Sequence, residues 1–460
     1  MDAPTKKKLI TSFFQSIPEE GETDVGDVDR YYVDRKLAQT RSDPIEQLRV
    51  HVTKARSAGA YLFSGLRGSG KTTELVRLQE KLETEDDCIV FYSDISCYIN
   101  LRTPLGVEDT IFAILGALSD AYETKFGEDK TRESWWQRAV RFMNSTIKVE
   151  GWSAKAGAGG TGVELKGSLY AEPTFRQNLR KSLSNSADAF LRSAGEYADE
   201  IVRSARSRAA SEDARVILIV DSLERVSAAT GDEKKMFDGL KDVFFNQREK
   251  LRFPTLTIIY SVPPYLDAVI PGVAVGFSGG KTFGLPHFKV ITRDDVGQPY
   301  SGGVDLMVAV IAKRFSDWDK VVAREHLETL AFQSGGNMRR FFNLVRQLLV
   351  EIQLASVPLP LAKSEGALVE AVLTMARDPY QWLSEQDWRW LNKIAGENQV
   401  RTESEADLPV VLRLFDTSLV LDYQNGERWY QILPLIRPLL SPSAAIEPND
   451  EAPVEASSAA

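Results

Sequence analysis

Gly65-Leu66-Arg67-Gly68-Ser69-Gly70-Lys71-Thr72 follows directly on the apolar run Tyr61-Leu62-Phe63, and its reading decides the fold. Each residue type in it has a chemical task. The glycines let the backbone turn tightly and aim N–H groups at phosphate oxygens. Lys71 can reach the β- and γ-phosphates, and the Thr72 hydroxyl can ligate Mg²⁺. The segment Thr73-Glu74-Leu75-Val76-Arg77-Leu78 reads as a helix, whose positive dipole end adds to the attraction. A strand before and a helix after are the context that such a loop requires, and both are legible. Gly65, Gly68, Ser69, Gly70, Lys71, Thr72 and Thr73 are therefore the expected phosphate-binding residues, with ATP and Mg²⁺ as the expected cofactors.

At 460 residues the chain has room for two or three domains, each with its own core. A net charge of -9 argues against a protein that coats nucleic acid, though a local basic patch stays compatible with it. With only Cys88 and Cys97, a disulfide framework or a cysteine-rich zinc site is ruled out, and a reducing compartment fits. His51, His287 and His326 lack metal-ligand spacing and read as structural. Lys6-Lys7-Lys8 is not followed by the apolar stretch of a signal peptide, and no apolar run approaches the roughly 20 residues needed to span a bilayer. A soluble, cytoplasmic protein is expected.

Along the chain, residues 1–24 read as a flexible polar lead-in, and residues 44–58 as a helix. Ala60 to Ser64, Cys88 to Tyr92, Arg215 to Val220 and Leu256 to Tyr260 read as buried strands, with a fifth within 281–290. Alternation of strands with helices predicts an α/β fold, a doubly wound parallel sheet, over residues 25–298. An insertion of about 146–210 interrupts it. Its residues 146–170 alternate around Ala156-Gly157-Ala158-Gly159-Gly160-Thr161-Gly162, which predicts a long β-hairpin followed by one long polar helix, 174–209. Residues 299–383 read as a helical lid. Over 384–440, helices precede a hairpin centred on Asn425-Gly426, the pattern of a winged helix. The tail, 441–460, has too little to bury and is expected to be disordered.

The third core strand ends in Asp221-Ser222-Leu223-Glu224. An aspartate at the tip of an apolar strand is where a Walker-type ATPase holds Mg²⁺, and Glu224 is placed to polarise the attacking water. The next strand ends near Ser261, a candidate sensor of the γ-phosphate. In Ser334-Gly335-Gly336-Asn337-Met338-Arg339-Arg340, the glycines end one helix and Asn337 can cap the next. Arg339 then falls in the first turn, where its guanidinium could reach a phosphate across the cleft. Lys71, Asp221, Glu224 and Arg339 are the candidate catalytic residues, with Thr72 and Asp221 the candidate metal ligands.

Over about residues 25–440, these motifs together resemble the AAA+ and STAND groups of P-loop ATPases, most closely the initiator-like branch that ends in a winged helix. The resemblance implies ATP hydrolysis, Arg339 as a second sensor, adenine contacts around Tyr31-Tyr32-Val33, and an arginine finger at Arg248 or Arg252. The hairpin insertion departs from the usual initiator pattern. Two function classes follow. One is an ATP-dependent switch that oligomerises with copies of itself and relays a signal to a protein partner or effector, as STAND proteins do in bacterial anti-phage defence. The other is a DNA-associated ATPase of the initiator or transposition-regulator type. Glu403-Ser404-Glu405-Ala406-Asp407, at the start of the second winged-unit helix, would bring carboxylates toward DNA phosphates, so the switch is the first expectation and DNA the second.

Overall fold

The computed structural model describes residues 2–19, 28–35, 43–128, 132–147, 149, 162–226, 232–402, 404–425 and 427–440. Five parallel strands form the central sheet: β1 (Ala60–Ser64), β2 (Ile89–Asp94), β3 (Val216–Asp221), β4 (Thr257–Val262) and β5 (Thr282–Gly284), in the order β2-β3-β4-β1-β5. Thus β4 separates the phosphate-loop strand β1 from the acidic strand β3. The register pairs Ser64 with Val262 and Asp94 with Asp221. The loops that leave β1, β2, β3 and β4 therefore gather along one sheet edge, where ligands of open α/β sheets bind.

Alternate side chains of each strand enter opposite layers, as the two-residue period requires. Tyr61, Phe63, Val90, Ile217, Ile219 and Ile259 pack under the helices Pro44–Lys54 and Lys71–Thr84, while Leu62, Phe91, Leu218 and Ile258 face the larger core. Leu75, Leu78 and Leu82 form the buried stripe of the phosphate-loop helix. Each such burial stabilises by about 1.5–3 kcal/mol, so the loop's exit is anchored by packing.

Between β2 and β3 the described residues contain helices Val107–Phe126, Trp135–Ser145, Gly162–Ala171, Pro173–Ser184 and Ala187–Arg208. The expected hairpin is corrected here. Its second arm, with Val163, Leu165 and Leu169, is helical. Leu165 and Leu169 are buried while Val163 is 82% exposed, so the four-residue spacing outweighs the local alternation. Of the first arm, Ile147 and Val149 are buried, and the glycine-rich tip lies outside the described residues. The single helix expected over 174–209 is two, separated at Asn185 and Ser186. Arg176 and Arg180 both donate to the fully buried Asp109, which ties the insertion to the start of helix Val107–Phe126.

The lead-in is also corrected. Ala3–Ser16 is a helix that buries Ile10 and Phe13, with Ile17 buried just beyond it. It rests on the lid: Phe13 stacks on Phe315 at 4.8 Å, and Arg346 donates to the Ile17 carbonyl at 2.9 Å. The lid comprises Ser301–Arg314, Arg324–Gln333, Met338–Ala355 and Gly366–Arg377. The tail, residues 441–460, lies outside the described residues.

The winged unit consists of helices Glu385–Glu397 and Leu408–Asp416 followed by the antiparallel pair β6 (Val420–Asn425) and β7 (Glu427–Ile432). Its second helix is apolar nearly all round, with Leu408, Val410, Val411, Leu412, Leu414 and Phe415 buried. Such a helix must be covered on more than one face. It packs beside the core helices Glu233–Lys241 and Tyr265–Val269, with Phe415 6.0 Å from Tyr265. Ion pairs border the contact: Lys234 with Glu405 at 3.0 Å and Arg413 with Glu233 at 3.9 Å. Arg428 of β7 crosses to the core, reaching Asp267 at 3.1 Å and the Ser64 hydroxyl at 3.3 Å while held by the buried Asp422. Among the described residues, no helix is long and apolar enough to cross a membrane.

Candidate nucleotide-binding and hydrolysis site

Strand β1 delivers the phosphate loop and β3 delivers Asp221 to the same edge, so residues about 150 apart in sequence become neighbours. Gly68 and Gly70 take left-handed backbone angles, φ 79° and 88°. Glycine adopts these at little cost. A side chain at Gly68 would also collide with the Asn337 carboxamide. The helix Lys71–Thr84 starts immediately, with Gly70 at its cap position. Lys71, Thr72, Thr73, Gly68, Glu224 and Arg339 share the lining of a cavity of about 500 Å³.

The Lys71 ammonium donates to the Leu66 carbonyl at 3.2 Å and pairs with Glu224 at 3.1 Å. Burial pushes the Glu224 carboxyl upward, but Lys71 and the Ser261 hydroxyl outweigh it and hold the group below its usual range. Ser261 Oγ donates to Glu224 Oε2 at 2.5 Å. Thr72 Oγ1 donates to Asp221 Oδ2 at 3.0 Å, and Tyr92 from β2 donates to the same oxygen. Burial, and next the Glu224 charge, raise the Asp221 carboxyl. Ser222, in a left-handed conformation at φ 75°, donates its N–H to Asp221 Oδ1 at 2.7 Å.

Arg339 and Arg340 diverge. Arg339 lines the cavity, whereas Arg340 donates to the Tyr380 hydroxyl at 2.5 Å and to the Thr417 carbonyl at 3.4 Å. The loop before them is gripped from two sides. Asn337 caps the helix Met338–Ala355 and donates to the Arg67 carbonyl at 2.8 Å, while Met338 N–H donates to Gly68 O at 2.9 Å. From the winged unit, Tyr423 donates to the Gly335 carbonyl at 2.7 Å. Gly335, at φ 65°, lies against Leu421, Leu433 and Pro434.

The set fits a nucleotide with Mg²⁺. The buried Ser69 hydroxyl has no partner among the described residues, and neither Ser69 nor Gly65 lines the cavity. Thr72 and Asp221 are oxygen donors side by side, as a cation that also uses phosphate oxygens requires. Beside this cavity is a second one of about 170 Å³, lined by Tyr31, Tyr32, Val33, Phe288 and Phe342, at the place expected for adenine. Arg248 and Arg252, the expected finger candidates, do not line either cavity. Arg248 donates to the Phe245 carbonyl, and Arg252 to that of Gly276.

No protein-family model and no curated protein sequence matches the chain. Solved structures do. The chain is similar to the ORC of Drosophila bound to DNA, at 11% identity and TM-score 0.35 over 94% of this chain and 97% of that one. It is similar to Cdc6p from Pyrobaculum aerophilum, at 13% and 0.33 over 88% and 95%. It is also similar to the ADP form of the Aeropyrum pernix ORC2 protein, at 13% and 0.36 over 87% and 94%. Scores this low carry no argument alone. The strand order and the residues at the sheet edge carry the fold.

Three site residues escape a reading of motifs. Arg35 is buried, donates to the carbonyls of Ser69 and Pro286, and sits 4.1 Å over the Phe288 ring. It braces the phosphate loop from the lead-in side, and no local spacing marks it. Asn337 is expected as a cap, but its bond to the phosphate loop is a tertiary event. Tyr92 is legible only as an apolar strand residue.

Proposed function

We propose that this protein is a Mg²⁺-dependent ATPase that works as a conformational switch. Lys71 binds the β- and γ-phosphates, and Thr72 and Asp221 hold Mg²⁺, which neutralises charge developing on the phosphates. Glu224 draws a proton from the attacking water, with Ser261 fixing its carboxylate. Arg339 reaches the phosphates from the lid side. The aromatic-lined cavity at Tyr31, Tyr32 and Phe288 takes the base.

The observation that supports a switch is the position of residues 334–339. Arg67 and Gly68 of the phosphate loop bond to Asn337 and Met338, while Tyr423 of the winged unit bonds to Gly335. A γ-phosphate that draws Arg339 inward moves a segment the winged unit grips, so nucleotide state and docking are linked. Hydrogen exchange with a non-hydrolysable ATP analogue and with ADP tests this. Protection of the helix Leu408–Asp416 should differ between the two, and identical protection would refute the coupling.

Of the finer readings, a DNA-associated ATPase now stands ahead of anti-phage defence, for which no observation speaks. The winged unit is the module for it, but its second helix is occupied by the core. In helix-turn-helix proteins that helix enters the major groove. DNA contact through it would therefore require undocking, and duplex binding should depend on the bound nucleotide. Absence of salt-sensitive DNA binding in every nucleotide state would assign the released surface to a protein partner instead. Assembly into a homo-oligomer is part of the same proposal, tested by particle mass with and without the ATP analogue.

A further inference from the structure

Tyr92 lies opposite Ile219 in the β2–β3 register, two residues before the strand ends at Asp94. Its ring packs partly buried against the smaller apolar layer. Phenylalanine would fill the same space, so packing does not call for the hydroxyl. That hydroxyl donates to Asp221 Oδ2, the oxygen that also accepts from Thr72 Oγ1 at 3.0 Å, while Oδ1 accepts the Ser222 N–H at 2.7 Å. Three donors from β2, the phosphate-loop helix and the turn after β3 thus fix both oxygens of one carboxylate. An ionised carboxylate only accepts hydrogen bonds, so all three donors favour its charged form.

We propose that Tyr92 is a positioning residue for the divalent cation: its hydroxyl holds the Asp221 carboxylate beside Thr72, where a cation shared with the phosphates needs it. The inference rests on the ATPase reading of the same site. Were the Thr72 oxygen to hold the cation, its hydroxyl would no longer donate to Asp221, and Tyr92 and Ser222 would remain to orient the carboxylate. Loss of the phenol donor would leave that oxygen free to rotate away.

The test measures binding of a fluorescent, non-hydrolysable ATP analogue during Mg²⁺ and Mn²⁺ titrations of the full chain. It compares wild type, Tyr92→Phe, Asp221→Asn and the double variant. Tyr92→Phe should need about tenfold more metal for half-saturation, the range for a hydrogen bond to a charged group. Its metal-free affinity, measured in EDTA, should match wild type. In the Asp221→Asn background the same change should add nothing, because neighbours that act through one group are not additive. An unchanged metal requirement in Tyr92→Phe overturns the inference. So does an equal loss of affinity in EDTA, a lowered melting temperature alone, or full additivity with Asp221→Asn. If wild type itself shows no metal-dependent nucleotide binding, the ATPase reading falls, and this inference with it.

Discussion

Lys71 and Glu224 share a short buried ion pair, and a phosphate entering the cavity must compete for that ammonium. Removing either partner of such a pair has unequal consequences. Lys71→Ala deletes the cation that faces the phosphates and leaves Glu224 with a buried, less compensated charge. Nucleotide affinity should fall by about 10- to 100-fold, the scale of lost charge-assisted bonds, as read by titration with a fluorescent ATP analogue. Glu224→Gln frees Lys71 while removing the base. ATP should bind as tightly as in wild type or more so, with turnover slowed by roughly 10²-fold or more, measured as phosphate release. Normal turnover in that variant would show the base to be elsewhere. Arg339→Ala should slow hydrolysis, whereas Arg340→Ala, bonded to Tyr380 and Thr417, should instead loosen the lid against the winged unit.

The helix Leu408–Asp416 ends on a carboxylate beside the phosphate loop. Burial raises the Asp416 carboxyl to about 7, opposed by Arg67 and reinforced by Glu233, and the Tyr265 phenol also feels its charge. The docked form therefore holds a proton that a solvated carboxyl, with a pKa of about 3.9, gives up. Between about pH 4 and 7 the docked form binds more protons, so docking weakens as pH rises through this window. Hydrogen exchange in that helix, corrected for intrinsic rates, should be faster at pH 8 than at pH 6. Asp416→Asn should abolish the difference. At the same scale, Leu75→Ala should destabilise the core by about 2–5 kcal/mol, read by thermal or denaturant unfolding, because Leu75 is fully buried beneath the sheet. Elements were legible where the pattern ran unbroken, as in the continuous apolar run of β3 or the apolar stripe of the helix Met338–Ala355. Residues 162–171 were not, because alternation over a few residues and a Leu165/Leu169 helical stripe are the same letters. The stripe Ile10, Phe13, Phe14, Ile17 was not legible either, because the polar residues around it mask its period.

At the scale of the molecule, the phosphate loop, Asp221, Glu224 and Arg339 could be named as candidates from sequence because each sits in a motif whose spacing is local. The supports at Arg35, Asn337 and Tyr92 could not, since they depend on which chain segments meet. Glu403 lies outside the described residues, but Glu405 faces Lys234 of the core rather than solvent alone. Glu405→Lys should thus weaken docking by placing like charges together. Any gain in duplex DNA binding, followed by anisotropy at physiological salt, should accompany faster exchange in the helix Leu408–Asp416. A gain without loosening would mean that the docked surface itself meets DNA. Arg428 gives the architecture a genetic signature. It stands at the far end of the chain, yet it touches Ser64, the last residue before the phosphate loop. An unbiased screen for lost ATP turnover should recover substitutions at Arg428, Asp422 and Tyr423 alongside those at Lys71. Unlike Lys71 lesions, these should be suppressible from a distance, by second-site changes that restore docking without altering any residue of the nucleotide cavity.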